Sequence, residues 1–404
     1  MTTTGTRRLL GARFAVYTVF AANGAMFGSW APRIPEVKAQ LGMSVAVLGV
    51  VLLAPAIGSL VAMPFAGGLA GRIGSARATR LVAVPFFLML PLVGVAGSPF
   101  WLFLALLLWG TSIGVLDVVM NAQGVTVERA RGRSLMSGFH ATFSLGALAG
   151  TGIGSVASAL GVGVGVQLLV LGAGLLTLVL VTSLWMLPDR LATGDERPPL
   201  LVRPRGPLVV ITIAAFAVLL CEGAAADWSA VFLREDLSSS AGLAGAAFAA
   251  FSATMTIGRL VGDRVLNRWP RRTVVRAFAA GAALGFGAGL AVAELVGDGP
   301  VAVAAAVVGF AVLGAGISLT FPALLAEAAS VAPRPAEGIG AVATGGYLGF
   351  LVGPPAIGGL AELTSLPVAL WVIPLLAAAT AVLIAPRGGV GGTGRDPAAV
   401  SAGG

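Results

Sequence analysis

Residues 163–187 read GVGVQLLVLGAGLLTLVLVTSLWML, an apolar stretch without a single charged side chain. A helix that crosses the hydrocarbon core of a bilayer needs about 20 mostly apolar residues, so this stretch is long enough to span a membrane. Similar stretches recur along the 404-residue chain, in which hydrophobic types make up 57% and charged types only 10%. Soluble domains carry about 25% charged residues, so the composition excludes an ordinary water-soluble enzyme and indicates a polytopic membrane protein.

Apolar stretches of spanning length occur twelve times in the chain. The sequence predicts membrane helices at residues 13–32, 45–66, 79–97, 100–123, 135–158, 163–187, 208–231, 241–264, 273–296, 300–325, 338–361 and 366–385. The longest polar break follows the sixth of these. We therefore predict an all-α membrane protein with twelve transmembrane helices in two six-helix pseudo-symmetric bundles. The predicted regions are an N-terminal bundle at 1–187, a cytoplasmic linker at 188–207, a C-terminal bundle at 208–385 and a flexible cytoplasmic tail at 386–404.

Basic residues are distributed unevenly among the predicted loops. If the N-terminus is cytoplasmic, 22 of the 25 Lys and Arg residues fall on the cytoplasmic side, and Arg33, Lys38 and Arg234 fall outside. The positive-inside rule predicts this bias, so we expect both termini to be in the cytoplasm and the protein to lie in the cytoplasmic membrane. A cleaved signal peptide is the alternative for the N-terminus. The first apolar run continues to Trp30, past the usual length of a signal, which favours an uncleaved first span.

Several other partners and site classes are disfavoured by composition. The net charge of +8 fits loops that face anionic membrane lipids better than it fits a nucleic-acid surface. One cysteine, Cys221, and one histidine, His140, exclude a disulfide framework and argue against a Cys/His metal site. No Gly-Lys-Ser/Thr segment for binding nucleotide phosphates is present, and we expect no cofactor.

The two halves of the chain share a pattern of glycines. The ladders, spaced by four residues, are Gly146, Gly150 and Gly154 in the fifth predicted span and Gly345, Gly349 and Gly353 in the eleventh. This spacing places the glycines of each ladder on one helix face, where backbones approach closely in lipid. We expect these faces to let the two bundles slide against each other.

Two short motifs lie at the cytoplasmic ends of the second and eighth spans, GGLAGRIG at 67–74 and GRLVGDR at 258–264. These motifs and the six-plus-six layout resemble the major facilitator superfamily. The stretch DVVMN at 117–121, with Glu128 and MSGFH at 136–140, further resembles its fucose-permease-like branch.

The resemblance implies a secondary transporter for a small-molecule substrate and not an enzyme, and we expect a monomer. The membrane carboxylates Asp117 and Glu222 predict coupling to protons, as in symport, with uniport as the alternative. The resemblance also implies a gating motif at the inner face, formed by Gly67, Gly71, Arg72, Gly258, Asp263 and Arg264. The first motif has Gly71 where the family usually has an acidic residue.

Polar residues inside the predicted fourth and fifth spans form one candidate site. A carboxylate in the hydrocarbon region costs a few kcal/mol, so Asp117 is a functional candidate by default. Asn121 follows Asp117 by one helical turn, and His140 in the next span should lie at similar depth. We predict that Asp117, Asn121 and His140 line the inner half of a cavity. The structural alternative is that Asp117 is hydrogen-bonded within the bundle and that His140 caps its helix.

The seventh span contributes the second candidate site. Glu222 lies just beyond the predicted membrane midplane, where transporters bind substrates, and could hold a substrate or a proton. Asp227 and Trp228 should be nearer the outer face, with Trp228 either an interfacial residue or a platform for substrate. In the first span, Asn23 is either a cavity residue or a contact between helices.

A catalytic interpretation is disfavoured. Residues 110–114 read GTSIG, which fits the Gly-x-Ser-x-Gly motif of serine hydrolases. That motif needs a strand-to-helix turn, whereas these residues lie within a predicted helix.

The predicted function is secondary transport of a neutral or weakly polar small molecule, either uptake of a sugar-like solute or export of an amphiphile. A drug or metabolite efflux antiporter and a receptor or scaffold without transport remain the alternatives.

Overall fold

The computed structural model describes residues 3–132, 135–188, 204–332 and 335–384. Within these ranges the chain is helical and contains no strand. Most of the predicted linker and the whole predicted tail lie outside the described residues.

The first half of the described chain contains eight α-helices. They are α1 (Thr3–Trp30), α2 (Ile34–Gln40), α3 (Val45–Leu52), α4 (Ala54–Ile73), α5 (Ser75–Met89), α6 (Pro99–Arg131), α7 (Met136–Ala159) and α8 (Val164–Thr182). The described part of the second half contains eight more. They are α9 (Pro207–Val231), α10 (Ala246–Arg268), α11 (Arg271–Val296), α12 (Pro300–Ile317), α13 (Thr320–Val331), α14 (Pro335–Leu363), α15 (Leu366–Leu370) and α16 (Val372–Leu383).

Each predicted span coincides with one of these helices or with two helical segments in tandem. Ten helical stretches in the described chain are long and apolar enough to cross a membrane. The predicted spans 135–158 and 338–361 coincide with α7 and α14, which are not among those ten. Several helices continue past the predicted ends, α6 as far as Arg131 and α10 as far as Arg268. Polarity marks where a helix leaves the bilayer, whereas the helix itself continues into water until its own stop signal.

Equivalent helices pair in the two halves. In the first half α1 packs along α7 and α4 packs along α6, and in the second half α9 packs along α14 and α10 along α12. Both helices of each pair belong to the same half, so these pairs form the frame of that half. The halves also touch each other, through α3 with α14 and α7 with α10.

The glycine ladders lie inside the halves and not between them. A Cβ on Gly150 of α7 would overlap the carbonyl oxygen of Ala25 in α1, and one on Gly349 of α14 would overlap that of Phe216 in α9. Comparable overlaps with α1 or α9 occur at Gly146, Gly154 and Gly345. The prediction that these glycines let the halves slide is therefore wrong. They bring two backbones into contact at van der Waals distance, which fixes the helix pair.

One member of the ladders differs from the rest and supplies a matched control. A Cβ on Gly353 would meet its first neighbour, Leu220, at 3.4 Å, which is an ordinary contact. We predict that Gly150→Ala destabilises the protein by about 1–3 kcal/mol through overpacking. Gly353→Ala should be neutral or slightly stabilising, because alanine favours the helix by up to about 1 kcal/mol over glycine.

Thermal unfolding in detergent measures this difference. Cys221 is the one cysteine of the chain and is buried, so its labelling by a thiol-reactive dye reports unfolding. Equal melting temperatures for the two variants would contradict the close α1–α7 contact.

Candidate functional site

A cavity of about 300 Å³ lies between the two halves. Its walls come from α1, α4, α6 and α7 on one side and from α9, α10 and α14 on the other. Much of the wall is aromatic, from Phe27, Trp30, Trp109, Phe143, Phe248, Phe251, Tyr347 and Phe350. The polar groups that line it are Asn23, Ser59, Asp117, Ser144, Glu222, Asp227, Ser252 and Arg259.

An ion pair between α9 and α10 lies in the cavity wall. Nη2 of Arg259 is 3.5 Å from Oε1 of Glu222, and the two side chains are 27% and 25% exposed. Glu222 thus lines the cavity, where it faces a cation that the sequence did not indicate. Both groups retain access to solvent, so a solute in the cavity could contact either one.

Sequence reasoning missed Arg259 because it belongs to the GRLVGDR motif, which was assigned to the membrane surface. The structure shows why it lies deeper. A Cβ on Gly258 would overlap the side chain of Ser318, so this face of α10 is pressed against the segment between α12 and α13. Arg259, the next residue, faces the cavity. Helix α10 continues nine residues beyond Arg259, about 13 Å at 1.5 Å per residue, so Arg259 does not lie at the end of the helix.

Asp117 and Asn121 lie together on α6. Nδ2 of Asn121 donates to Oδ1 of Asp117 at 3.2 Å and to its carbonyl oxygen at 2.8 Å. Asp117 lines the cavity, and Asn121 supports it from the next turn without lining the cavity itself. From the second half, Tyr347 of α14 lines the same cavity as Asp117. The carboxylate therefore faces both halves of the protein.

His140 does not join the predicted cluster. It is exposed, its ring packs edge-on against Phe20 at 5.3 Å between centroids, and it does not line the cavity. In the described chain no hydrogen bond joins His140 to Asp117 or Asn121. His140 does lie near enough to Arg259 to interact with it electrostatically. The capping function that the structural alternative assigned to His140 belongs to Glu128, whose Oε2 accepts from the backbone N–H groups of residues 135 and 136.

The remaining candidates divide between the cavity and the packed interior. Asn23 lines the cavity and also donates to Sδ of Met120 at 3.5 Å, so it combines both predicted functions. Asp227 lines the cavity, and no described residue donates a hydrogen bond to its carboxylate. Trp228 does not line the cavity, because it is 0% exposed and packs near Gly358 of α14. It is therefore neither an interfacial residue nor a platform for substrate. The side chains of adjacent helical residues point about 100° apart, so Trp228 and Asp227 lie on different faces of α9.

The two ends of the molecule differ in how the halves meet. We call the end that contains Arg72, Arg131 and Arg268 the basic end. At the opposite end, Nζ of Lys38 in the first half is 2.7 Å from Oε2 of Glu235 in the second.

A helix start also bridges the halves at the opposite end. The backbone N–H of Ala46, in the first turn of α3, donates to Oε2 of Glu362 of α14 at 3.2 Å. Nearby, a Cβ on Gly49 of α3 would clash with the backbone of Pro354 in α14. The opposite end is therefore closed by polar and packed contacts between the halves.

The predicted gating residues lie at the basic end. Arg72 and Arg264 are exposed, and neither makes a hydrogen bond or an ion pair within the described chain. Gly67 has open space where its Cβ would be, and Gly71 lies in the last turn of α4. The side chain of Asp263 is outside the described residues, as is that of Ser137. With these arginines unpaired, the predicted contact across the basic end is not made by Arg72 or Arg264 within the described chain.

The serine motif has no catalytic geometry. Ser112 is buried within α6, and its Oγ donates to the carbonyl oxygen of Leu108 at 3.2 Å. The described residues contain no group of three His, Cys, Asp or Glu side chains that could hold a metal ion.

Comparisons with known proteins give the family. An uncharacterized MFS-type transporter of Yersinia pestis is 36% identical over 361 residues, which covers 88% of this chain and 91% of that protein. Membrane protein MosC of Rhizobium meliloti is 31% identical and covers 87% of this chain and 84% of its own. The fold is similar to the crystal structure of the nucleoside transporter NupG, in its D323A mutant, with a TM-score of 0.76 at 16% identity over 92% of this chain and 98% of that one.

A sequence model of the Major Facilitator Superfamily matches residues 9–336 and 211–389. Together with the transporter relatives and the fold, this match covers nearly all of the chain. The protein is a non-enzymatic membrane protein that belongs to the Major Facilitator Superfamily of transporters.

Proposed function

We propose that this protein is a secondary active transporter that moves a small organic solute across the cytoplasmic membrane by alternating access. The observation that carries the proposal is a charged, aromatic-walled cavity between two halves that are joined by polar contacts at the end opposite the basic end. In a cycle of this kind the halves rock around the site, so that the contacts at the two ends alternate.

The same proposal includes the topology. Twelve spans in two pseudo-symmetric bundles, with both termini in the cytoplasm, are supported by the equivalent helix pairs α1–α7 and α9–α14. The excess of arginine at the basic end supports its assignment to the cytoplasmic side. On that assignment the contacts of Lys38 and Glu362 lie on the outer side, and we propose that the transporter works as a monomer.

The substrate class follows from the lining of the cavity. Three carboxylates, Asp117, Glu222 and Asp227, share it with one guanidinium, that of Arg259. Aromatic faces stack on rings and attract cationic groups, whereas the carboxylates and Asn23 accept hydrogen bonds. We propose a solute with a ring or apolar face and several hydrogen-bond donors, such as a sugar, a nucleoside or an amine. Export of an amphiphilic solute by antiport is the second candidate, favoured by the predominance of apolar lining.

Coupling to protons is proposed through Asp117. In the described chain this carboxylate has Asn121 as its hydrogen-bond donor and no cation within ion-pair distance, whereas Glu222 is paired with Arg259. A carboxylate without a cationic partner in a closed site is neutralised most readily by a proton. Asp117 is thus better placed than Glu222 to exchange a proton during the cycle.

The first test concerns the ion pair. We predict that Arg259→Gln lowers apparent solute affinity at least about tenfold, because the loss of a contact worth 1.4 kcal/mol corresponds to that factor. A thermal-shift screen of sugars, nucleosides, amines and organic acids against the purified protein first identifies the solute, and flux into proteoliposomes then measures the effect. Arg276→Gln is the matched control, since Arg276 is exposed on α11 and lies outside the cavity. If no solute stabilises the protein and none is transported, the transport proposal fails.

The second test concerns proton coupling. Asp117→Asn keeps the size of the side chain and removes its titration. We predict that uptake no longer accelerates when a pH gradient is imposed across the proteoliposome membrane, while exchange of labelled for unlabelled solute continues. An unchanged response to the gradient in this variant would rule out Asp117 as the proton site.

The third test concerns the alternation of contacts between the two ends of the molecule during transport. A short bifunctional thiol reagent applied to Lys38→Cys/Glu235→Cys should join the two halves at the opposite end, because the native side chains meet there at 2.7 Å. We predict that net flux then falls to background, and that a reagent with a reducible spacer allows flux to recover after reduction. Lys38→Cys alone, treated in the same way, should retain flux. Full activity in the cross-linked protein would contradict alternating access through this end.

A further inference from the structure

A second cavity, separate from the central one, lies at the basic end of the first half. It measures about 510 Å³ and is enclosed by the end of α4, the start of α5 and the segment that follows α8. Its lining residues are Arg72, Ile73, Gly74, Ala76, Arg77, Arg80, Met186 and Pro188. We call it the arginine pocket. Its volume falls within the range of small-molecule sites.

The charges of the arginine pocket are not compensated by the part of the protein that the structure describes. Arg72, Arg77 and Arg80 make no hydrogen bond or ion pair within the described chain, and the lining contains no carboxylate among the described residues. Nε of Arg80 is buried and has no partner. Three like charges around one cavity repel each other, and a buried N–H without an acceptor costs about 1–3 kcal/mol. An anion in the pocket would offset both costs.

Helix α5 adds to the positive potential. Its first turn contains no acidic residue, and it carries Arg77 and Arg80 in its first two turns. The N-terminal end of a helix is positive, so basic side chains are unfavourable there unless an anion is present. Gly74, with φ of 83°, turns the chain sharply between α4 and α5 and brings the helix start to the pocket.

The walls of the arginine pocket are fixed by a buried amide. Gln123 of α6 is 0% exposed, and its Nε2 donates at 2.8 Å both to Oγ of Ser75 and to the carbonyl oxygen of Leu187. These bonds tie the start of α5 to the segment after α8, which are the two sides of the pocket. The pocket is therefore preorganised and not a gap between mobile surface chains.

An apolar groove adjoins the pocket and indicates what kind of anion it takes. Met186 lines both, and the rest of the groove is formed by Arg7, Arg8, Leu10, Gly11, Phe14, Leu184 and Trp185. Phe14 and Leu184 are 54% and 69% exposed, as expected for surface that contacts acyl chains. A ligand with a phosphate at one end and hydrocarbon at the other matches this neighbourhood, whereas a soluble phosphate would use the arginines alone.

We propose that the arginine pocket binds the phosphate-bearing headgroup of an anionic phospholipid, whose acyl chains lie along the groove beyond Met186. Arginine pairs with phosphate through two parallel hydrogen bonds, which suits the unpaired guanidinium groups. The site is independent of the central cavity and of the solute that the protein carries.

Native mass spectrometry of the purified full chain tests the proposal. We expect phosphatidylglycerol to remain bound in preference to phosphatidylcholine. In Arg77→Gln/Arg80→Gln its binding should weaken on the order of 25-fold, about fivefold for each arginine. Arg276→Gln removes the same charge from an exposed residue outside the arginine pocket and should bind as the natural chain does. Equal retention of both lipids, or undiminished binding in the double variant, would overturn the site.

Two further measurements separate lipid binding from the binding of a soluble anion and from a loss of folding. If inorganic phosphate at millimolar concentration displaces phosphatidylglycerol, the pocket is a site for a soluble anion and the lipid assignment is wrong. Should the double variant fail to fold, a photoreactive phosphatidylglycerol added to the natural chain gives the answer. We expect its label on residues 72–80 and 183–188, and labelling elsewhere would overturn the proposal.

Discussion

The high cost of placing a charge in the hydrocarbon region governs the arrangement of this protein. A carboxylate or guanidinium at membrane depth must face water, a partner or a ligand. The chain therefore gathers its deep charges at the central cavity, where Glu222 pairs with Arg259 and Asn121 supports Asp117. Apolar and aromatic side chains surround these groups and exclude them from lipid. A polar site between two helical halves is the arrangement that satisfies this constraint with the charges present.

Motion around that site is limited by how each half is built. Backbone contact at Gly150 and Gly349 fixes α1 to α7 and α9 to α14, so each half keeps its own helix pairs. What can change is the contact between halves, which at the opposite end includes an ion pair, a capped helix start and the packing of α3 on α14. Exposed ion pairs are worth about 0–1 kcal/mol, so such contacts can break and re-form during a cycle. Rigid halves with weak contacts between them suit a rocking mechanism.

Much of this could be predicted from the sequence, because hydrophobic length and glycine spacing report directly on the bilayer. The positions of the helical spans followed from hydrophobic length. The cost of a polar group within a span pointed to Asn23, Asp117 and Glu222, which line the cavity, and Asp227, expected nearer the outer face, lines it as well. The direction in which a side chain points on a helix that is apolar all round did not follow. Trp228 is buried one position from a cavity residue, and the eight aromatic rings of the wall look like ordinary core in the sequence. Partners distant in the chain, such as Arg259 for Glu222, required the tertiary structure.

The two ends of the molecule also differ in the charges that are available to hold the two halves together. At the opposite end two polar cross-half contacts join a carboxylate of the second half to a positive group of the first, Lys38 or the start of α3. At the basic end Arg72 and Arg264 are both cationic and unpaired in the described chain, and their approach would bring like charges together. Glu327, a carboxylate of that end, is already bound to Arg272 at 2.7 Å. Closure of the basic end therefore requires negative charge between these arginines. An anionic headgroup beside Arg72 would supply it, which links the lipid proposed for the arginine pocket to the balance between the two states of the transporter.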